Sequence, residues 1–163
     1  MFGNTKLIAD AVGQGLSSYA DTQVVEVGAA PERLDEVDLV VAGGPTHAFG
    51  LTRPGTRADA ARQTTGGVVS GVVGLREWLA SLPKAQPRQL AATFDSRVDK
   101  VRRLPGSAAR GAAKRLRHLD FRLVVPPESF YVTDTQGPLL DGELDRARRW
   151  AELGAAFAGR NVG

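Results

Sequence analysis

The first residues of the chain combine a glycine with small polar side chains directly before a helical pattern. Small, apolar and aromatic residues recur at helical spacing in the segment after Phe2-Gly3-Asn4-Thr5: Ile8, Ala11, Val12, Gly15, Leu16 and Tyr19. This spacing predicts an amphipathic helix that ends near Tyr19. Gly3 permits a tight turn, and Asn4 or Thr5 is expected to cap the helix. Because first-turn amides lack intrahelical partners, the pattern predicts a phosphate-binding site at the start of this helix. The alternative is an ordinary capped helix.

The rest of the chain alternates apolar runs with helical patterns. Five runs are predicted to be strands: Thr22–Val27, Val37–Ala42, Gln89–Phe94, Phe121–Val125 and, extending the last one past Pro126-Pro127, Ser129–Thr133. Strands that alternate with helices predict an α/β protein with a parallel sheet wound on both sides. We expect one domain over residues 1–163.

Three further segments carry helical patterns with an inward face. The inward residues are Leu75, Trp78, Leu79 and Leu82 in the first, Ala109, Ala112, Ala113 and Leu116 in the second, and Leu144, Ala147, Ala151 and Ala158 in the third. Ser107 is predicted to cap the second of these helices, and the third is predicted to start near Asp141. Asp145 and Arg149 are expected to form an outward pair.

Ligands of such sheets bind beyond the carboxyl ends of the strands, where the winding direction reverses. Three segments leave a strand, or the expected place of one, at that edge: residues 2–5, 43–50 and 94–97. We therefore expect these three segments to converge into one ligand site.

Composition narrows the chemistry that the chain can perform. The 163 residues include no cysteine, which excludes disulfides, a thiolate metal site and a cysteine nucleophile, and the two histidines, His47 and His118, lie far apart in sequence. There is no charged-then-apolar leader and no apolar run of membrane length, so the expected location is the cytoplasm. The net charge is +3 and the pI is about 9.7.

The three segments resemble the loops of the flavodoxin-like family. Met1-Phe2-Gly3-Asn4-Thr5 is similar to the family's phosphate loop, Gly44–Gly50 to the first loop beside the flavin ring, and Thr93–Arg97 to the second. The resemblance spans nearly the whole chain and implies a sheet of order 2-1-3-4-5 that binds FMN. The family's first strand would precede Met1. We therefore expect the natural protein to start further upstream, with an apolar strand.

The resemblance also implies roles for individual residues. Phe2, Gly3, Asn4, Thr5 and Lys6 would form the phosphate loop, with backbone N–H groups and the Thr5 hydroxyl as donors, although Phe2 replaces the hydroxyl residue usual in the family. A second set would surround the isoalloxazine ring, by lining it or, for one of the two phenylalanines, by stacking: Pro45, Thr46, His47, Phe49, Phe94 and Asp95. The alternatives are a backbone hydrogen bond for His47 and core packing for Phe49 and Phe94.

Basic residues crowd one stretch of the chain, with few acids between them. They are Arg97, Lys100, Arg102, Arg103, Arg110, Lys114, Arg115, Arg117 and Arg122. Such a surface suits an acidic redox partner protein, whereas nucleic acid is disfavoured because no aromatic residues interleave with the basic ones. A solvated helix face is the ordinary alternative.

These patterns favour an FMN-binding protein that transfers electrons between a reductase and an acceptor. One alternative is a flavin-dependent quinone reductase, and another is a flavodoxin-like module that has lost FMN and serves as a binding or structural domain. No residue stands out as a general base or nucleophile, so no catalytic residue is predicted.

Overall fold

A computed structural model describes residues 3–47, 50–51 and 73–160, without the side chains of His47 and Arg160. Phe2 and Phe49, both predicted to be site residues, lie outside this description.

The centre of the structure is a mostly parallel sheet. Its strands are β1 (Leu39–His47), β2 (Gly50–Leu51), β3 (Leu90–Val98), β4 (Arg122–Leu123) and β5 (Glu128–Val132). β1 and β3 pair in parallel, and both β4 and β5 pair in parallel with β3, while β2 pairs antiparallel with β1. The neighbours β1, β3 and β5 agree with the 3-4-5 part of the predicted order. The full predicted order is not confirmed.

Helices cover both faces of this sheet. The described residues form α1 (Asn4–Leu16), α2 (Leu75–Ser81), α3 (Ala108–His118) and α4 (Glu143–Arg160), with 3-10 turns at Val27–Ala29 and Asp99–Val101. The α1 and α4 helices share one apolar cluster with the sheet, and α2 and α3 share another. The predicted α/β architecture, with a parallel sheet wound on both sides, is confirmed.

The two apolar clusters follow from the alternation of side chains along β1. Val40 and Ala42 lie in the cluster with α2 and α3, whereas Val41 packs against the cluster with α1 and α4. Trp78 of α2 belongs to the first cluster, and the partly buried Trp150 of α4 packs against the second. The sheet therefore divides the interior into two separate apolar layers.

Two segments that were predicted to be loops are strand residues instead. β1 continues through Gly43 to His47, and β3 continues through Asp95 and Arg97 to Val98. At Gly43 the ring of Phe94 lies so close that an added Cβ would be 2.1 Å from its Cζ atom. The glycine is therefore needed for close packing between neighbouring strands, not for a turn.

The strand predicted at Thr22–Val27 is wrong. Residues 21–26 form no regular element, Val24 and Val25 are 46% and 40% exposed, and a 3-10 turn begins at Val27. An apolar, β-branched run needs a neighbouring strand to become one itself. Among the described residues, none forms a strand beside this segment.

One side of β1 is largely unpaired within the described ranges. Leu90 N donates to Asp38 O at 2.8 Å, so the alternation of a parallel ladder turns the backbone groups of Leu39, Val41 and Gly43 to the other side. In the described part of the chain, only the two-residue β2 pairs with that side.

The helix predictions hold better, with differences at the ends. Ser107 caps α3 by accepting a hydrogen bond from Arg110 N at 3.2 Å. The first helix ends at Leu16, and Tyr19 is 58% exposed instead of buried. The last helix starts at Glu143, two residues after Asp141, near which its start was predicted.

Two smaller predictions near the carboxyl end need correction. Asp145 pairs with Arg148, three residues away, instead of with Arg149. Of the predicted strand Phe121–Val125, only Arg122–Leu123 forms, because the following prolines cannot donate to a ladder.

Candidate functional site

The carboxyl edge of the sheet brings together the three segments predicted to converge. The Thr5 hydroxyl at the start of α1 lies 2.7 Å from the Ser96 hydroxyl on β3. Thr46 at the end of β1 donates a hydrogen bond to Asp95 on β3, also at 2.7 Å. The expected convergence is therefore confirmed by direct contacts.

The start of α1 is open. Gly3 is its N-cap residue with φ of 85°, a left-handed conformation, and no side chain caps the helix. This corrects the prediction that Asn4 or Thr5 is the cap, because both already lie within the helix. A Cβ added to Gly3 would meet no atom within 4 Å, and the first turn contains no acidic residue. The amides of Asn4, Thr5 and Lys6 thus face a space without a built-in acceptor among the described residues.

The side chains of this first turn make contacts that hold the helix start in place. The Asn4 side-chain amide donates to Gln136 O at 3.1 Å, which ties α1 to the loop after β5. The Thr5–Ser96 contact ties it to β3. Lys6 is exposed and pairs with Asp10 at 2.7 Å on the outer face of the helix. Its side chain therefore contributes little to the edge, whereas its amide belongs to the open first turn.

The start of α3, at the same edge, is closed by the chain's own side chains. The Asp95 carboxyl group is fully buried, and its Oδ2 atom accepts hydrogen bonds from Thr46 Oγ1, Ser107 Oγ and Ala109 N. Thr46 Oγ1 in turn accepts from Ala108 N at 2.8 Å. Asp95 Oδ1 is buried with no partner among the described residues. The carboxylate and two hydroxyls thus satisfy the first-turn amides of α3.

The first residue of α4 carries a buried carboxylate that binds groups other than the first-turn amides of its helix. Glu143 is buried, and its carboxylate accepts hydrogen bonds from Tyr131 N and from Arg146, each at 2.7 Å. Burial acts to lower the pKa of Arg146, but hydrogen bonds to Glu143 and Glu128 outweigh it and raise that pKa above its ordinary value. This helix therefore carries its own negative charge at its first turn.

Phe94, predicted to stack on a flavin, lies in the core. Its side chain is 2% exposed and makes edge contacts with Phe130 and Trp150, with ring centroids 6.0 and 6.2 Å apart. Gly43 lies against the same ring. This placement favours the core-packing alternative for Phe94.

The remaining predicted residues belong to the end of β1. Pro45 is half-buried and opposite Ser96, and His47 is the last residue of the strand, opposite Gly50 on β2. Their backbones lie at the edge with Thr46. The role of His47 beside a flavin stays a prediction.

Sequence reasoning missed the roles of three residues that build this edge, Ser96, Ser107 and Gln136. Ser107 was identified as a helix cap but not as a partner of Asp95. A cap residue that follows a predicted ligand loop was the available signal. Ser96 and Gln136 carry no local pattern that points to α1.

The described residues contain neither a candidate metal site nor a membrane-spanning segment. Within them, no group of three or more histidine and acidic residues could hold a metal ion. None of the described helices is both long and apolar enough to cross a membrane.

The parallel sheet, the helices on both faces and the convergence at the carboxyl edge define a flavodoxin-like fold. No protein-family model matches the sequence, and no curated protein matches it. Two redox proteins are among the solved structures that share the fold. Rubredoxin oxygen:oxidoreductase from Desulfovibrio gigas aligns with 100% of this chain and 35% of its own, with a TM-score of 0.61 and 15% identity.

The second structure is the Flv1 flavodiiron core from Synechocystis. It aligns with 98% of this chain and 34% of its own, with a TM-score of 0.57 and 17% identity. The chain thus spans about a third of the length of these two structures. At such identities the likeness shows the fold alone.

Proposed function

We propose that this chain binds FMN at the carboxyl edge of its sheet and acts in electron transfer. The observation that carries the proposal is the open start of α1. The start of α3 is closed by the carboxylate of Asp95, whereas no side chain of the described residues caps the start of α1. A phosphate at α1 would accept hydrogen bonds of the kind that the first-turn amides of α3 already make.

The phosphate would be held by the first turn of α1. The amides of Asn4, Thr5 and Lys6 would donate to it, and the Thr5 hydroxyl can accept from Ser96 while donating to the phosphate. The ring would lie toward the ends of β1 and β3, near Pro45 and Thr46. His47 and Phe49 are proposed neighbours of the ring from the family resemblance. Bound FMN would supply reversible uptake of electrons, and the chain would hold and shield it.

The structural neighbours support a redox role in general terms. One is an oxidoreductase and the other a flavodiiron core. The open start of α1 supports the flavin part of that chemistry.

A titration with two matched ligands tests the proposal. The purified protein is titrated with FMN and with riboflavin, which has the same ring but no phosphate, and flavin fluorescence and visible absorption are recorded. We expect FMN to bind and riboflavin to bind about tenfold to a hundredfold more weakly, since the lost contacts are hydrogen bonds to a charged group.

Other outcomes separate the alternatives. Equal affinity for the two ligands contradicts a phosphate seat at α1. A protein that binds neither ligand contradicts the proposal and supports a flavodoxin-like module that has lost its flavin. Rapid reduction of a quinone by NADH in the presence of the FMN-loaded protein supports the quinone reductase alternative.

A further inference from the structure

The loop after β3 presents an apolar centre within a group of cations. Val101 and Leu104 are 38% and 45% exposed, although both are aliphatic. The same segment, residues 99–104, also contains three exposed cations: Lys100, Arg102 and Arg103. Apolar side chains within a charged rim are typical of protein interfaces.

A buried arginine holds this loop in shape. Arg97 is 8% exposed, and its Nη2 atom donates to Val101 O at 2.9 Å and to Leu104 O at 3.1 Å. Its Nε atom is buried with no partner among the described residues. Burying a guanidinium costs free energy. Because Arg97 is buried where it binds the carbonyls of Val101 and Leu104, we infer that a fixed loop conformation is important for function.

Positive charge is concentrated around this loop. Residues 99–117 contain seven lysine and arginine side chains and one acid, Asp99, a net charge of +6. The whole chain carries +3, so the remainder carries −3. Asp99 pairs with Arg102 at 3.3 Å, whereas Lys100 and Arg103 make no ion pair with any described residue. The charge is therefore segregated and available to a partner.

We infer that the basic loop surface, defined as Lys100, Val101, Arg102, Arg103, Leu104 and Arg110, is a docking surface for an acidic redox protein. The inference rests on the proposed electron-transfer function. The loop leaves β3 at the same carboxyl edge as the open start of α1, so a partner bound there would lie beside the proposed flavin. Charge complementarity would orient the partner, and the apolar centre would hold it.

Protein fits this surface better than nucleic acid does. Residues 99–117 contain no aromatic side chain on which bases could stack. The exposed aliphatic pair has no role in phosphate contacts but suits the core of a protein interface.

The test compares two double charge reversals with the same change in net charge. Lys100→Glu/Arg103→Glu changes the basic loop surface. Arg117→Glu/Arg122→Glu is the matched control. Arg117 lies in the last turn of α3, and Arg122 pairs with Leu90 at the amino end of β3, away from the loop. Circular dichroism verifies folding, and FMN affinity is measured for each variant.

Binding is measured against immobilised probe proteins at low and moderate salt. The probes are an acidic plant-type ferredoxin and a basic cytochrome c, with a single-stranded DNA 20-mer as a third. We expect the wild-type protein to prefer ferredoxin, the loop variant to lose about tenfold or more of that affinity, and the control to lose much less. Leu104→Ser should weaken binding several-fold without changing its salt dependence.

Three results overturn the inference: an equal loss in the two double variants, stronger binding to cytochrome c, or stronger binding to the DNA. The FMN measurements separate this inference from the proposed function. If FMN binds but docking ignores the loop charges, only the docking surface is wrong. If FMN does not bind while ferredoxin affinity still follows the loop charges, the surface is supported as a docking site and the electron-transfer function is contradicted.

Discussion

The helices α1 and α3 start at the same edge of the sheet, but, among the described residues, the chain's own side chains bind the first-turn amides only at α3. At α3, Asp95 and the hydroxyls of Thr46 and Ser107 accept the first-turn hydrogen bonds. At α1, a left-handed Gly3 opens the turn and no side chain of the described residues caps it. One helix start is closed by buried groups, and the other is held in position but left open.

This difference shows how an anion site can be told from a structural helix cap. Both helix starts have the same dipole and the same first-turn amides without intrahelical partners, so neither feature alone identifies a site. What distinguishes α1 is that its turn is fixed by outward contacts, Asn4 to Gln136 and Thr5 to Ser96, while its first amides have no acceptor among the described residues. The first turn of α1 is therefore held in position, although its N–H groups have no acceptor among the described residues.

The largest expected effect is the loss of the buried carboxylate at α3. Asp95→Ala removes the acceptor of three hydrogen bonds and should lower the free energy of unfolding by about 2 to 4 kcal/mol, measured by urea denaturation. Asp10→Ala, which breaks only the exposed pair with Lys6, should cost about 0.5 kcal/mol or less. Similar losses in both variants would mean that α3 does not depend on its closed start.

A smaller effect is expected at the second cap of α3. Thr46→Val removes the acceptor for Ala108 N and a donor to Asp95, and it should cost about 1 to 2 kcal/mol of the free energy of unfolding. Because Thr46 and Asp95 share a hydrogen bond, the double variant with Asp95→Ala should lose less than the two single losses combined. Strict additivity would contradict a shared network.

Two glycines allow a matched comparison of helix starts. Gly3 and Gly142, with φ of 85° and 81°, precede α1 and α4, and an added Cβ meets nothing within 4 Å at either site. Alanine at each should cost about 1 kcal/mol of the free energy of unfolding because of the left-handed backbone. Only Gly3→Ala should also weaken FMN binding. Equal FMN affinities in the two variants would contradict the proposal that FMN binds at the start of α1.

The smallest expected effect comes from replacing the two partners of the Thr5–Ser96 hydrogen bond one at a time. Thr5→Val and Ser96→Ala both break the Thr5–Ser96 contact, and each should change the free energy of unfolding by about 1 kcal/mol or less. Thr5→Val should also weaken FMN binding several-fold, because it removes a proposed phosphate donor. If Ser96→Ala weakens FMN binding as much, the contact acts only by holding the helix start.

Features with a local cause could be predicted from the sequence. The α3 helix follows from Ser107 as a cap and from alanines at helical spacing, since both signals lie within one segment. The inward faces of α1 and α2 were predicted for the same reason, apart from Tyr19. The convergence of three segments was predicted because parallel strands share one carboxyl edge.

Features with a distant cause could not be predicted. Gly43 resembles a turn residue, but it is a strand residue that makes room for the Phe94 ring of the neighbouring strand. Asp95 and Arg97 resemble loop residues, but within β3 they form hydrogen bonds with partners remote in sequence or beyond the strand's end. Thr22–Val27 resembles a strand, but no described strand lies beside it. In each case the deciding contact lies outside the segment.

The two tryptophans lie on opposite faces of the sheet, so the fluorescence of each can report on one apolar layer. Trp78 donates from its indole N–H to Pro31 O at 2.9 Å on the α2 side, whereas Trp150 contacts Phe94 and Phe130 on the α4 side. Replacing either by phenylalanine leaves a single tryptophan, and its selectively excited fluorescence reports on one side of the sheet. Coincident melting curves from the two variants would mean that both layers melt as one unit.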